Sequence, residues 1–370
     1  MIGNDSYISK CIQCPSSLCK DSKRYVFHVL GEQIFIFADK RTNKLDPLID
    51  GRKILTRYSK NPILLPKKDN WWESKAVFNC AILHDGDTVH MLYRAIGEYE
   101  NYISRIGYAS SNDGYHFDRT NEIALGPKED YEKYGVEDPR LVKIGDQAYV
   151  TYVVLSGYVR DRPNVFTALA TTTNYCEFTR LGLITGGGVN NNKDVVLFPE
   201  KLSRRATNGY ERYLSLHRPS TWIGSAYGID RPSIWLGEGE SLTKVDKHTL
   251  LLRPEREWEA LKVGAGIPPI RTEHGWLIIY HGVSNDKTYS AGAALLDLNQ
   301  PNTILGRSKW PILEPEEPYE RFGDINNVVF PTGACVIDGE LFVYYGGADR
   351  VCCLAKGDLG ILVDFILQEN

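Results

Sequence analysis

Residues 75–95, "KAVFNCAILHDGDTVHMLYRA", read as an apolar strand, an Asp-Gly turn and a second strand ending in aromatic and basic side chains. Four more stretches repeat that plan: "EDPRLVKIGDQAYVTYVVL" (137–155), "LFPEKLSRRATNGYERYLSLHR" (197–218), "AGIPPIRTEHGWLIIYHGV" (265–283) and "FPTGACVIDGELFVYYGG" (330–347). Their turns hold Gly-Asp, Asn-Gly, His-Gly and Asp-Gly, the residues that tight hairpins demand. Between the hairpins lie strands with Ala, Ser and Gly followed by a polar turn, as in "SRIGYASSNDGYHFDR" (104–119) and "YSAGAALLDLNQPNTILGRS" (289–308), which suit the outer half of a blade. A hairpin recurring five times at roughly 50 to 70 residues predicts an all-β chain folded as a five-bladed β-propeller. A sandwich with long insertions is the rival architecture. The propeller is expected to form a single domain over residues 55–370. Residues 1–54 are expected to be an N-terminal extension that packs on it, with "RYVFHVLGEQIFIFADK" (24–40) pairing as a hairpin; a closing strand from the segment up to Arg57 is the other use of this region.

The 370 residues are 42% hydrophobic and 24% charged, an ordinary globular balance with ample length for a core. A net charge of -4 offers no electrostatic footprint for nucleic acid. The longest apolar runs stop short of the roughly 20 residues a bilayer helix needs, so no membrane association is expected. "MIGNDSYISKCIQCPSSLCK" lacks the apolar centre of a secretory signal, and a cytoplasmic location follows as an expectation. Eight cysteines are then read as reduced thiols. Cys11 and Cys14 have C-x-x-C spacing without a second pair, and Cys352 and Cys353 point to opposite faces of a strand. No His, Cys or carboxylate cluster has metal-ligand spacing, so neither metal nor organic cofactor is expected. Gly-rich "TGGGVNNNKD" (185–194) lacks the Gly-Lys-Ser/Thr ending of a phosphate-binding P-loop and reads as a propeller loop.

In a propeller the inner strands line the channel, and their ends and loops build a site at one mouth. This gathers Asn79 and Arg94 from the first hairpin, Glu137, Asp138 and Arg140 from the second, and Lys193, His217 and Arg218 around the third. Lys262 and His281 come from the fourth, Phe330 and Asp349 from the fifth. Bases outnumber acids. Glu137 and Asp138 stand beside Pro139, immediately ahead of the second hairpin's first strand.

The blocks "YEKYGVEDPRLVKI", "LFPEK" followed by "LSLHRPS", "LKVGAGIPPIRTEHGWLIIYHGV" and "VFPTGACVIDGELFVYYGGAD" resemble, in order, those of glycoside hydrolase family 130, the β-mannoside phosphorylases. The resemblance runs from about Leu55 to the carboxyl terminus. A lone E-D-P-R is weak, since invertase-like propellers carry a similar turn. The resemblance implies an inverting phosphorylase, a glycosyltransferase-type enzyme that converts a β-mannosyl oligosaccharide, β-1,4- or β-1,2-linked, and inorganic phosphate reversibly into α-mannose 1-phosphate and a shortened acceptor. An inverting hydrolase needs a second carboxylate to activate water. A phosphorylase replaces it with cations and donors that hold the anionic nucleophile, and the surplus of bases fits that need.

On this resemblance Asp138 is the general acid, acting in the family through the mannose 3-hydroxyl, although Asp before Pro is also a common turn cap. Phosphate falls to Lys193, Arg218, Lys262 and His281, with Tyr289 as a hydroxyl donor. The mannosyl unit falls to Asn79, Arg94, Phe330 and Asp349, with His217 as a further sugar ligand. Cys80 departs from the proline or small residue that many relatives carry after the asparagine. Glu137 has no assigned role. Two rival readings are a β-1,2-mannosyltransferase using GDP-mannose and an inverting β-mannosidase; a non-catalytic sugar-binding propeller is a third. Linkage and acceptor are left to the loops at 157–164 and 99–102, and the amino-terminal segment offers a surface for homo-oligomer assembly.

Overall fold

The computed structural model describes residues 24–30, 33–39, 48–49, 52–159, 162–185, 191–203 and 211–368. The chain divides into two units, 1–46 and 47–370. Within the first, Arg24–Leu30 pairs antiparallel with Gln33–Asp39, the hairpin expected there. Cys11, Cys14, the Asn208-Gly209 turn and the glycines at 186–188 lie outside the described residues.

Five antiparallel sheets form the propeller blades of the second unit, together with a two-stranded pairing of Leu48–Ile49 with Arg52–Lys53; in the third and fourth blades the leading strand lies at Asn192–Leu197 and Lys262–Ala265, ahead of the stretches 197–218 and 265–283 read from the sequence. Blade 1 runs Ala76–His84, Val89–Ile96, Ser104–Ser111 and Asp118–Leu125. Blade 2 runs Val136–Ile144, Gln147–Val159, Arg162–Thr172 and Thr179–Leu183. Blade 3 is built on Asn192–Leu197, Glu211–Pro219, Ile234–Gly239 and Lys247–Leu252. Blade 4 follows with Lys262–Ala265, Trp276–Val283, Tyr289–Leu296 and Ile304–Arg307. Blade 5 has Val329–Ile337, Glu340–Gly347 and Val351–Asp358, and takes its fourth strand from Thr56–Arg57. A strand from before blade 1 thus completes blade 5 as its outermost strand and ties the ring shut. The Asp-Gly and Gly-Asp turns sit where the sequence puts them, with Gly86, Gly145 and Gly339 at positive φ.

The core is a ring of interfaces between neighbouring blades. Leu92, Ile106, Val136 and Val150 pack blade 1 on blade 2; Leu216, Leu236, Val263 and Ile278 pack blade 3 on blade 4. Between blades 4 and 5, Ile279, Leu295, Val343 and Tyr345 meet the helix Leu359–Gln368 through Leu362 and Ile366. Each fully buried Leu or Ile is worth about 1.5–3 kcal/mol. The thinnest interface joins blades 2 and 3, where Val142, Leu169, Val195 and Leu197 do most of the packing.

A polar staple repeats in four blades. Ahead of each inner strand an aromatic-Glu dipeptide enters a tight turn: Trp72-Glu73, Tyr131-Glu132, Trp258-Glu259 and Tyr319-Glu320. Each glutamate is fully buried. It accepts a hydrogen bond from a second-strand tyrosine hydroxyl: Tyr93 at 2.8 Å, Tyr152 at 2.8 Å, Tyr280 at 3.1 Å and Tyr345 at 2.7 Å. An outer-strand arginine completes each set: Arg119, Arg180, Arg307 and Arg57. Burying a carboxylate is tolerable only with such pairing. The staple fixes where each inner strand begins.

Inner strands of the first three blades share a second device. Register slips between Phe78 and Ala81, between Glu137 and Arg140 and between Lys193 and Val196, so two residues face one on the partner strand. The first bulged residue is Asn79, Asp138 or Asp194, each near φ +50°, where Asn and Asp are tolerated best among residues with a Cβ. The expectation that Glu137 and Asp138 precede the strand is corrected: the strand begins at Val136 and both lie within it. Pro139 is accommodated because a bulge asks no ladder hydrogen bond of it.

Candidate active site

The bulges and the ends of the second strands face one mouth of the propeller. On its acidic side, Asp138 Oδ1 accepts from Asn79 Nδ2 at 2.8 Å and from Arg94 Nη1 at 3.0 Å. Arg94 also donates through Nη2 to Glu137 Oε1 at 2.6 Å and through Nε to the Ser104 hydroxyl at 2.9 Å. Burial pushes the Asp138 carboxyl up, but Arg94, then Lys193 and Arg140, with the Asn79 amide, outweigh it and hold the group below the usual carboxylate range. Glu137, unassigned in the sequence, is the partner that orients Arg94. Asp349 behaves oppositely: burial pushes it up to about 7, and Asp138, Asp324 and Glu137 add to that against Arg94.

On the basic side, Arg218 Nε donates to Asp194 Oδ2 at 2.7 Å, and His281 Nε2 lies 3.8 Å from the same oxygen. Burial works against ionisation of Asp194, yet the Arg218 guanidinium, by its charge and its hydrogen bond, with Arg140 adding to it, holds the carboxyl well below the usual range. Lys193 Nζ stands 4.0 Å from Glu137 Oε2, on the line between the two sides. Lys262 is pushed down to about 8, first by burial and then by Arg218, with Lys193 adding to it. Its ammonium lies 5.1 Å from the Tyr289 ring centre. His281 is driven to about 3 by burial, so its ring is neutral; it packs 4.5 Å from the Phe330 ring, over which Arg140 sits at 5.7 Å. Phe330 therefore lies where the two sides meet.

Three buried polar atoms here have no hydrogen-bond partner among the described residues: Asn79 Oδ1, Arg140 Nη2 and His281 Nδ1. Buried groups of this kind call for an explanation, and a bound ligand at the mouth provides one.

Ten of the eleven candidate residues are brought to this mouth; His217 is not. Neighbours on a strand point to opposite faces, so with Arg218 in the site His217 turns outward, at the register that Tyr93 and Tyr152 hold in blades 1 and 2. There its Nε2 meets His248 Nδ1 at 3.0 Å and its Nδ1 meets Asn192 Oδ1 at 3.3 Å. Burial, with His248 beside it, drives His217 down to about 3. It replaces the staple tyrosine. Two site members escaped the sequence reading. Asp194 was legible as the third member of the series Asn79, Asp138, Asp194. Ser104 had no sequence signal. No described group of three or more His, Cys, Asp or Glu is arranged to hold a metal, and no described helix is long and apolar enough to cross a membrane.

A propeller whose mouth sets a buried carboxylate beside a crowd of cations defines an enzyme that handles a neutral hydroxyl-rich substrate and an anion together. The sequence profile of glycoside hydrolase family 130, described as β-1,4-mannooligosaccharide phosphorylase, matches residues 67–368. The chain is 40% identical to a 1,2-β-oligomannan phosphorylase of Thermoanaerobacter sp. (strain X514), over 81% of this chain and 96% of that one. A β-1,2-mannobiose phosphorylase of the same organism is 38% identical, over 80% and 94%. The solved structure of Listeria innocua β-1,2-mannobiose phosphorylase with β-1,2-mannobiose superposes with a TM-score of 0.74 at 30% identity, over 85% of this chain and 99% of that one. The chain belongs to glycoside hydrolase family 130.

Proposed function

We propose that the protein is an inverting β-mannoside phosphorylase acting on β-1,2-linked mannosides, with inorganic phosphate as co-substrate and α-mannose 1-phosphate as product. The observation that carries the reading is the convergence of Lys193, Arg218 and Lys262 on one side of the mouth, where Lys262 falls to about 8, first through burial and then through Arg218, although Asp194 and Asp349 oppose the fall. Only an anion answers such crowding, and phosphate is both anion and nucleophile. A hydrolase would need a free carboxylate on that side to activate water. The carboxylate present there, Asp194, is bound to Arg218. The names of the relatives at 38–40% identity favour the β-1,2 linkage over the β-1,4 linkage of the family description.

Asp138 is the proton donor in this reading. Arg94, Lys193 and Arg140 hold it below the usual carboxylate range against burial. A phosphate dianion arriving beside Lys193 cancels part of that field and raises the carboxyl toward protonation, so phosphate binding and proton loading are linked. Asn79 and Arg94 aim the acid, and with Phe330 and Asp349 they line the space for the mannosyl ring. Phosphate then attacks the anomeric carbon from the basic side, while the proton passes through the sugar's 3-hydroxyl to the leaving oxygen. A charged sugar phosphate crosses bilayers poorly, which supports a cytoplasmic location. The test is incubation of β-1,2-mannobiose with and without phosphate: mannose 1-phosphate should form only with it, and equal release of free mannose in both would establish a hydrolase. Turnover of GDP-mannose in place of phosphorolysis would establish the transferase.

A further inference from the structure

A fourth buried polar atom without a hydrogen-bond partner among the described residues lies at the rim of the mouth, Asp324 Oδ2. Asp324 belongs to the segment between the short helical turn Pro318–Arg321 and the inner strand of blade 5. Two backbone contacts press this segment against the end of blade 5's second strand. The Ile325 amide donates to the Ala348 carbonyl at 3.3 Å, and a Cβ at Gly323 would collide with the same oxygen, an approach that glycine alone permits. Asp324 is thereby set beside Asp349, and its charge adds, after burial and Asp138, to the rise of that carboxyl.

The other oxygen of Asp324 is fixed. Tyr99, in the loop that leaves blade 1's second strand, donates its hydroxyl to Asp324 Oδ1 at 2.8 Å. Burial and that bond hold the phenol up at about 12, so the proton stays on Tyr99 and the carboxylate remains the acceptor. Tyr99 stacks on Tyr102 at 6.1 Å, and Tyr102 lies 5.9 Å from the Arg94 guanidinium that holds Asp138. Asp324 therefore bridges the loops of blades 1 and 5, the blades that supply Asn79, Arg94, Phe330 and Asp349.

A carboxylate with one oxygen committed and the other buried and unanswered is an acceptor prepared for a donor. The guanidinium on this side, Arg94, is spent on Glu137, Asp138 and Ser104. An anion is repelled by the carboxylates gathered here, whereas a sugar supplies O–H donors without a charge. We infer that Asp324 is a specificity-determining residue of the site, its Oδ2 accepting a hydrogen bond from one hydroxyl of the bound mannoside while Tyr99 holds its orientation. The inference rests on the mannoside reading for the donor and is independent of phosphorolysis. A sugar lacking that hydroxyl leaves the oxygen unpaired again, a penalty that discriminates more sharply than apolar fit.

The experiment measures kcat/KM for phosphorolysis, and calorimetric binding without phosphate, of β-1,2-mannobiose and its monodeoxy analogues in the wild type, Asp324→Ala, Asp324→Asn and Tyr99→Phe. In the wild type one analogue should lose about 10- to 150-fold against the parent sugar through this contact, the worth of a hydrogen bond to a charged group. D324A should lose a similar factor on the parent sugar and show no such further loss on that analogue. D324N, which keeps the shape, should fall between the two and carries the comparison should D324A fail to fold. Y99F keeps the ring but releases the carboxylate, and should weaken the coupling severalfold. If every deoxy analogue loses the same factor in the Asp324 variants as in the wild type, or the variants bind and turn over the parent sugar as the wild type does, the inference is overturned. If no mannoside is phosphorolysed yet binding shows the coupling between Asp324 and one hydroxyl, the inference stands and the phosphorylase reading falls.

Discussion

Replacing Asp194 with Asn isolates the anion-binding chemistry from the fold. Asn has the same shape and tolerates the positive φ of this position, 57°. What it removes is the charge opposite Arg218 Nε at 2.7 Å, leaving a buried guanidinium uncompensated. Breaking one side of a buried pair costs about 3–5 kcal/mol, which for a unit of this size lowers Tm by roughly 5–7 °C. A bound phosphate then supplies the missing negative charge. In phosphate-free buffer the variant should melt at the lower temperature, and saturating phosphate should close at least half of the gap to wild type, measured by differential scanning calorimetry under the same conditions. Phosphate at a hundred times its Kd adds about 2.7 kcal/mol to any binding-competent fold, so the test lies in the difference between the two proteins. A gap that phosphate leaves unchanged would refute the placement of Arg218 against the anion.

Asp138→Asn should lower kcat by about 10²- to 10⁴-fold, the usual worth of a general acid, and recover much of the loss on an aryl β-mannoside whose leaving group needs no proton; equal loss on both substrates would remove Asp138 from the donor role. Lys262, pushed down to about 8, should make phosphate affinity fall as pH rises through that value, read by calorimetry, with the dependence absent in Lys262→Met. For stability the sign is opposite: between about 8 and the ordinary lysine value the unfolded chain holds the proton that the folded one sheds, so Tm contributed by this group rises with pH. Glu132→Gln removes the buried charge opposite Arg180 and leaves a single amide oxygen to accept from Tyr152 and Arg180, and should cost about 3–5 kcal/mol in chemical denaturation. Arg180 and hydrogen bonds hold Glu132 below its usual value against burial, so its wild-type contribution is present above the unfolded pKa and lost as pH falls, and the gap to the variant should narrow in acid.

What the sequence made legible was local. Strand alternation and the turns at Asp85-Gly86, Gly145-Asp146 and Asp338-Gly339 depend on neighbours in the chain, so five hairpins could be counted and their mouth-facing ends collected. His217 was misplaced because its neighbour Arg218 does face the site, and strand alternation sends adjacent side chains to opposite faces. The staples were hidden for another reason. Glu320 and Arg57 come from opposite ends of the propeller chain, and nothing near either residue announces the other. The dipeptides at Trp72, Tyr131, Trp258 and Tyr319 were visible at intervals of one or two blades, but a glutamate beside an aromatic reads as surface until its tyrosine and arginine are placed around it.

The blade that lacks the staple is the one that carries Lys193, Asp194 and Arg218. No glutamate occurs between Glu177 and Glu200, and the tyrosine register is held by His217, bonded to His248 and Asn192. Burial keeps both histidines below their ordinary value, so the clamp behind this inner strand is neutral. In the other blades the equivalent clamp buries a carboxylate held by its own arginine. Placed behind Lys193 and Arg218, such a carboxylate would have further cations within reach, at interaction energies that a low-dielectric interior enlarges. A neutral imidazole pair anchors Asn192, the residue before Lys193, without spending any of the site's positive field. The departure from the repeat therefore falls where the proposed chemistry requires it, and the thin apolar interface beside it, between blades 2 and 3, leaves this clamp to hold the strand in place.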